Sequence, residues 1–286
     1  MTEAERAQVL IEALPYIRRF RGRLLVIKYG GAAMVDEALK ASVMEDLVLM
    51  HTVGLRPILV HGGGPEVSRA MKKAGKAPVF HNGLRVTDLE TMEIVEMVLT
   101  GRMSKGIVTL IHRAGGKAVG LSGKDANLLV ATKLEASGAD LGYVGEVAQV
   151  NPEVLTVLTE AGYIPVISSV AVGPEGETFN INADHVAGRL AAHLQAAKLV
   201  ILTDIRGLLQ DVNDPASLIP TLSADRAREL LEKGIVAAGM IPKVEACLNA
   251  LDGGVPRAHI LDGRVPHSLL TEVFTDGGFG TMLTPL

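Results

Sequence analysis

Lys28 closes an apolar run, Leu24–Ile27, and is followed at once by Tyr29-Gly30-Gly31, so a point positive charge stands beside backbone amides that an anion can approach closely. That is the makeup of a phosphate site. A second glycine run, Gly62-Gly63-Gly64, ends the next apolar run, Pro57–Val60, and Pro65 opens a helix behind it. Amide N–H groups and the positive end of that helix then face the same crevice. Two glycine-rich strand exits could hold one polyanion from both sides. Three later stretches suit the same scheme. Phe179-Asn180-Ile181-Asn182-Ala183-Asp184 leads into a helix, Thr203-Asp204-Ile205-Arg206-Gly207-Leu208 leaves a strand, and Gly239-Met240-Ile241-Pro242-Lys243 opens another helix.

Other chemistries lack their residues. Val67 stands where a dinucleotide fingerprint wants its third glycine, and no G-x-x-x-x-G-K-[ST], H-R-D, D-F-G or G-x-S-x-G occurs. The eight histidines show no zinc spacing, so no protein-held metal is expected. The single cysteine, Cys247, cannot form an internal disulfide, which suits a reducing cytoplasm. With 28 basic and 32 acidic residues, 3% aromatics and no Trp, the chain advertises no nucleic-acid groove. The N-terminus is acidic where an export signal is basic, and no stretch of about 18 apolar residues suggests a membrane span. A cytoplasmic protein is expected.

These residues need elements to position them. Short apolar runs ending in glycine or aspartate recur at Leu24–Ile27, Pro57–Val60, Ala118–Leu121, Ile164–Val172, Leu199–Leu202 and Ala258–Leu261, with helical stretches between them. The helices fall at Asp36–His51, Leu89–His112, Pro152–Ala161, Ala183–Ala197, Ala224–Lys233 and Val244–Leu251. Continuous apolar strands separated by helices predict an α/β fold, a mostly parallel central sheet sandwiched between helices. Asn151-Pro152 supplies an N-cap and a proline at N1, and Ser223 caps the next helix. Leu129–Leu134 and Tyr143–Val150 predict an antiparallel flap. Ala7, Leu10, Ile11, Leu14 and Ile17 lie on one face of an N-terminal helix that Pro15 should kink. The extended stretch Ser168–Asn182 marks a joint between lobes. The expected division is therefore 1–23 for oligomerisation, 24–175 for an acceptor lobe and 176–286 for a nucleotide lobe.

The ordered set Val26-Ile27-Lys28-Tyr29-Gly30-Gly31, Leu59-Val60-His61-Gly62-Gly63-Gly64-Pro65, Asn82-Gly83-Leu84-Arg85-Val86-Thr87, Asn180-Ile181-Asn182-Ala183-Asp184, Leu202-Thr203-Asp204 with Gly207, and Gly239-Met240-Ile241-Pro242-Lys243 resembles the amino-acid kinases over nearly the whole chain. Within that family it looks most like the branch that phosphorylates N-acetyl-L-glutamate in arginine biosynthesis. The resemblance implies transfer from ATP to the acceptor's side-chain carboxylate, with Lys28 and Lys243 on the phosphoryl group and Asp184 orienting them. It gives Gly63, Gly64, Arg85 and Asn180 to the acceptor, and Gly30, Gly31, Thr203, Asp204, Leu208, Met240 and Lys243 to the nucleotide. A carboxylate of pKa ~4.3 is already a nucleophile at neutral pH, so no general base is needed. Charge neutralisation and in-line placement remain, supplied by lysines, amides and a Mg²⁺ held mainly by the nucleotide phosphates.

The resemblance extends to feedback by arginine. Members that arginine inhibits carry an N-terminal helix which interlaces dimers into a hexamer, and the stretch from His267 to Met282 is similar to their arginine-site signature. Tyr16, Lys198, His267 and Glu272 are the implied contacts, and a nitrogen-signalling partner protein belongs to the same picture. Two other readings use the same residues: a kinase for a carrier-linked aminoadipate, and a non-catalytic amino-acid sensor. The sensor would be expected to lose Lys28, Asp184 or Lys243, and all three are present.

Overall fold

Burial on two sides explains why the core strands are unbroken apolar runs. The computed structural model describes residues 2–34, 36–135, 138–211 and 214–285. Its elements begin with α1 (Glu3–Phe20), β1 (Leu24–Tyr29), α2 (Glu37–Thr52), β2 (Arg56–His61), α3 (Gly64–Lys73), β3 (Phe80–His81) and β4 (Leu84–Arg85). Then come α4 (Leu89–Glu96), a π-helical segment (Met97–Met103), α5 (Ser104–Arg113), β5 (Ala118–Ser122), β6 (Leu129–Lys133), β7 (Gly145–Val150) and α6 (Glu153–Glu160). The last are β8 (Ile164–Ser168), β9 (Val170–Val172), β10 (Thr178–Asn180), α7 (Ala183–His193), β11 (Lys198–Thr203), β12 (Thr221–Ser223), α8 (Ala224–Glu232), α9 (Ile241–Asp252), β13 (Ala258–Asp262), α10 (Ser268–Phe274) and β14 (Thr281–Thr284).

Eight strands form the central sheet in the order β12-β14-β13-β11-β1-β2-β8-β5, with every neighbouring pair parallel except the antiparallel β13–β14. Successive side chains of a strand point to opposite faces. Leu25, Ile27 and Tyr29 thus pack with Met44, Leu47, Ile111 and Leu269 from α2, α5 and α10, while Val26 packs with Leu155, Val186, Leu230 and Val244 from α6 to α9. Each fully buried Val, Leu or Ile contributes about 1.5–3 kcal/mol. Lys28 shares the Val26 side, under α7. The sheet order reverses beside β1, with β2 on one flank and β11 on the other, and the crevice outside the carboxyl ends there is where such sheets take ligands.

A second sheet, β10-β9-β6-β7, contains the expected flap, β6 antiparallel to β7 with a bulge between Val130 and Ala131. The expected strand Ile164–Val172 is divided. β8 stays in the central sheet to Ser168, whereas β9 leaves it to pair antiparallel with β10 and parallel with β6. The stretch read as a joint is the β9–β10 hairpin, with residue 175 in its turn, and the central sheet continues from β1 directly to β11.

Of the two N-caps expected from sequence, Ser223 holds and Asn151 does not, and Asp36 adds one that was not expected. Ser223 accepts from the Arg226 N–H at 3.3 Å, and Asp36 from Leu39 at 2.9 Å. Asn151 is an exception: Pro152 takes the N-cap position of α6 without a side-chain bond, and the Asn151 amide donates to the Asn127 carbonyl at 2.7 Å instead. Thr2 and Glu5 form a capping box on α1, which carries Pro15 within it and leaves Leu10 73% and Ile11 61% exposed. No helix among the described residues is long and apolar enough to cross a membrane.

Candidate active site

Asp184 lies in the first turn of α7, where Asn182 caps the helix by accepting the Asp184 N–H at 2.7 Å. Its carboxylate is thereby held 3.0 Å from the Lys28 Nζ and 3.3 Å from the Lys243 Nζ, the latter arriving from the first turn of α9. The two helices come unusually close. A Cβ on Gly188 of α7 would stand 2.6 Å from the Ala246 carbonyl oxygen of α9, so glycine there sets the spacing that lets Lys243 reach Asp184. Burial pushes the Asp184 carboxyl up, but the Lys28 and Lys243 ammonium groups outweigh it and hold the carboxyl below its usual range. One carboxylate between two lysines leaves a surplus positive charge.

The cluster borders a cavity of about 250 Å³ that Gly30, Gly31, Gly63, Gly64, Arg85 and Asn180 also line. Gly63 is the N-cap of α3 and offers no side-chain cap, so the first N–H groups of that helix lack intrahelical partners and face the crevice. A Cβ on Gly63 would collide with Leu99 and Met103, both carried on the π-helical turn. Such turns recur at functional sites. Arg85 is buried, donates to the Gly64 carbonyl at 2.9 Å and the Ser68 Oγ at 2.8 Å, and sits 4.7 Å from the Phe80 ring centre. The Asn180 amide donates to the Thr87 Oγ1 at 3.3 Å.

A second cavity, about 520 Å³, is mainly apolar and includes Ile205, Leu208, Leu230, Val236 and Met240 in its walls. Thr203 and Asp204 stand at the end of β11 beside Gly31, whose Cβ position is 3.4 Å from the Asp204 nitrogen. Gly31 has φ 70°, a conformation that suits glycine and lets the two strand exits meet. Among the described residues no group of three His, Cys, Asp or Glu could hold a metal ion. Of the nearby carboxylates, Asp184 is engaged by two lysines and Asp262 by Arg264 at 2.8 Å, while the exposed Asp204 accepts from the Thr203 hydroxyl at 3.2 Å.

A third cleft of about 380 Å³ brings together Tyr16, Lys198 and Glu272. Lys198 is 2.9 Å from Glu272, and His259 is 2.7 Å from the same carboxylate oxygen. Burial raises the Glu272 carboxyl, yet His259 and Lys198 bring it below its ordinary value; burial lowers His259, favouring its neutral ring. The structure does not bring His267 to this cleft. Its Nδ1 lies 2.6 Å from Asp46, whose carboxyl burial pushes up to about 6, and its N–H donates to the Ser42 Oγ at 2.8 Å. Sequence reasoning missed His259 and Gly188. A lone histidine inside the apolar run Ala258–Leu261 was the available signal for the first; the second gave none.

Residues 23–262 match the profile described as the amino acid kinase family. An acetylglutamate kinase of Pelotomaculum thermopropionicum is 57% identical over 291 residues, covering 99% of each chain. Two solved structures of N-acetylglutamate synthase from Neisseria gonorrhoeae also resemble the fold. The complex with coenzyme A and N-acetyl-glutamate has a TM-score of 0.85 at 29% identity, and the complex with coenzyme A and L-arginine 0.81 at 28%. These alignments cover 97% and 98% of this chain but 63% and 65% of the synthase. By its sequence over nearly its full length, and by its fold, the chain belongs to the amino acid kinase family.

Proposed function

We propose that this chain transfers the terminal phosphoryl group of ATP to the side-chain carboxylate of N-acetyl-L-glutamate, giving N-acetyl-L-glutamyl 5-phosphate and ADP in arginine biosynthesis. The observation that carries the reading is the buried Asp184 carboxylate between Lys28 and Lys243, set in one crevice with Arg85 and the open end of α3. Two anions must meet for this reaction, and the acceptor carboxylate needs no base. The protein's task is to cancel charge and align oxygen, phosphorus and leaving group. Asp184 orients both ammonium groups, so Lys28 and Lys243 meet the phosphoryl oxygens from fixed positions. Gly63 and Gly64 add backbone N–H groups, Arg85 takes an acceptor carboxylate, and Asn180 donates a further hydrogen bond.

Gly30, Gly31, Thr203 and Asp204 border the nucleotide phosphates and ribose, while Leu208 and Met240 offer the second cavity to the base. With no cluster of metal-ligating side chains among the described residues, Mg²⁺ would enter with the nucleotide, held mainly by its phosphate oxygens, and would supply charge neutralisation. The acceptor lobe is 24–175 completed by β10, which pairs with β9 across the expected boundary and carries Asn180, the nucleotide lobe is the rest of the chain to 286, and the place of action is the cytoplasm. The exposed Leu10 and Ile11 of α1 suit contact with a second copy, in a hexamer built as a trimer of dimers. Arginine is the proposed inhibitor, with Tyr16, Lys198 and Glu272 lining its cleft; the synthase solved with L-arginine supports that ligand. Inhibition then requires that arginine bind one arrangement of the lobes better than another.

The test traps acyl phosphate with hydroxylamine in purified protein given MgATP and N-acetyl-L-glutamate, with and without arginine. Hydroxamate formation that arginine suppresses is expected. Absence of product would overturn the kinase reading, and product indifferent to arginine would remove the regulation alone. Deleting residues 1–20 should leave arginine-insensitive dimers by light scattering; an intact hexamer would contradict the role of α1.

A further inference from the structure

His61 ends β2 immediately before the three glycines, and its side chain is fully buried. It pairs across the sheet with Tyr29 and Ser168. By strand alternation its ring lies on the side of Leu59 and Tyr29, opposite the side that carries Lys28 and Asp184. The ring therefore cannot touch a substrate in the crevice. What it touches is the loop: Nδ1 is 2.9 Å from the carbonyl oxygen of Gly62. A carbonyl can only accept, so the proton resides on Nδ1. Burial pushes the imidazole down to about 4, which keeps that tautomer neutral, and Nε2 is left buried with no hydrogen-bond partner. An apolar side chain would avoid that orphan acceptor, and the histidine is kept at its expense.

The described peptide bonds contain no cis isomer, and in a trans peptide the C=O and N–H point in opposite directions. Drawing the Gly62 carbonyl toward the ring turns the N–H of Gly63 the other way, to the cavity that the three glycines line. No side chain on Gly62, Gly63 or Gly64 can hold that orientation, and α3 has no side-chain cap to do so. We infer that His61 is a positioning residue, whose Nδ1–H sets the Gly62–Gly63 peptide and so aims the Gly63 N–H at the transferring phosphoryl group. This rests on the phosphoryl-transfer reading above.

The experiment compares wild type with H61N, H61Q and H61L. Asparagine can place an amide N–H where Nδ1–H stood, glutamine reaches toward the Nε2 position, and leucine donates nothing. In the hydroxamate assay H61L and H61Q should lose about 50-fold in kcat, with the KM for ATP changed less than about threefold, and H61N should return to within about fivefold of wild type. Affinity for MgADP with aluminium fluoride, a planar phosphoryl mimic, should follow the same order while MgADP alone binds all four proteins alike. Equal kcat values, or asparagine no better than glutamine, would overturn the inference, and the H61N and H61Q pair decides the matter if H61L does not fold. Wild type that binds the mimic but yields no hydroxamate would sink the acetylglutamate acceptor, leaving the order of mimic affinities to judge His61.

Discussion

Asp184 and Glu272 are both buried carboxylates held between two nitrogen-bearing side chains, yet their neighbourhoods are built for different work. Asp184 meets two lysines, so its cluster carries a net positive charge at the mouth of a crevice with uncapped helix N–H groups. Glu272 meets one lysine and one histidine whose burial favours the neutral ring, so its charges balance. The two lie at opposite ends of β11 and on opposite faces of the sheet. Surplus charge beside bare amides prepares a place for an anion in transit. Balanced charge pins an element, here α10 onto β11 and β13, and offers a cleft to a ligand that brings both signs with it.

Replacing Lys243 should break the first cluster most sharply. K243Q is expected to lower kcat about 10³-fold in the hydroxamate assay, while Tm moves by a few degrees because Lys28 still pairs with Asp184. Unchanged turnover would erase the distinction between the clusters. E272Q tests the second from the other direction. It leaves the buried Lys198 ammonium without its counter-charge, so chemical denaturation should show a loss of about 3 kcal/mol, with kcat within twofold and arginine inhibition gone. Collapse of kcat with arginine inhibition intact would reverse the assignment. G188A should push α9 off α7 and reduce kcat about 30-fold, with a stability loss of about 2 kcal/mol. Normal kinetics in G188A would mean that Lys243 finds Asp184 without that spacing.

The smallest effect is one of pH, which reaches His259 of the Glu272 cluster and the buried His61 but spares Asp184. His61 and His259 are both pushed below 6.5 by burial, so the unfolded chain takes up protons first and stability falls as pH drops through 6.5. His61 alone, at about 4, should cost about 1 kcal/mol between pH 7 and 5.5. The depressed Asp184 carboxyl contributes nothing to that slope, since its stabilisation is complete above 3.8 and is lost only in stronger acid. Denaturation curves at the two pH values should therefore show a slope that H61N flattens.

The strands and the glycine exits were legible because hydropathy and backbone freedom act locally. Leu24–Ile27 and Leu199–Leu202 could hardly be anything but strands buried on both sides, and Lys28 next to two glycines advertises its charge. Partner choice is another matter. His267 finds Asp46 across 221 residues of sequence, and nothing near either residue announces it. The division of Ile164–Val172 between two sheets follows from β9 finding β6 and β10 as ladder partners, not from any change in apolar character. Gly188 acts by lacking a methyl group, a signal that acquires meaning only once α9 is in place.

β11 begins at Lys198 in one cleft and ends at Thr203 next to Asp204, which meets Gly31, about 17 Å away at the usual rise of a strand. It is laddered to β1 on one side and β13 on the other, in parallel register with each. A strand clamped on both edges is a strut of fixed length, because slipping by one residue would turn every side chain to the wrong face. A displacement at the Lys198 end cannot be absorbed as a slip of β11 in its register. A ligand that acted from that end would have to act through the elements packed on the strand.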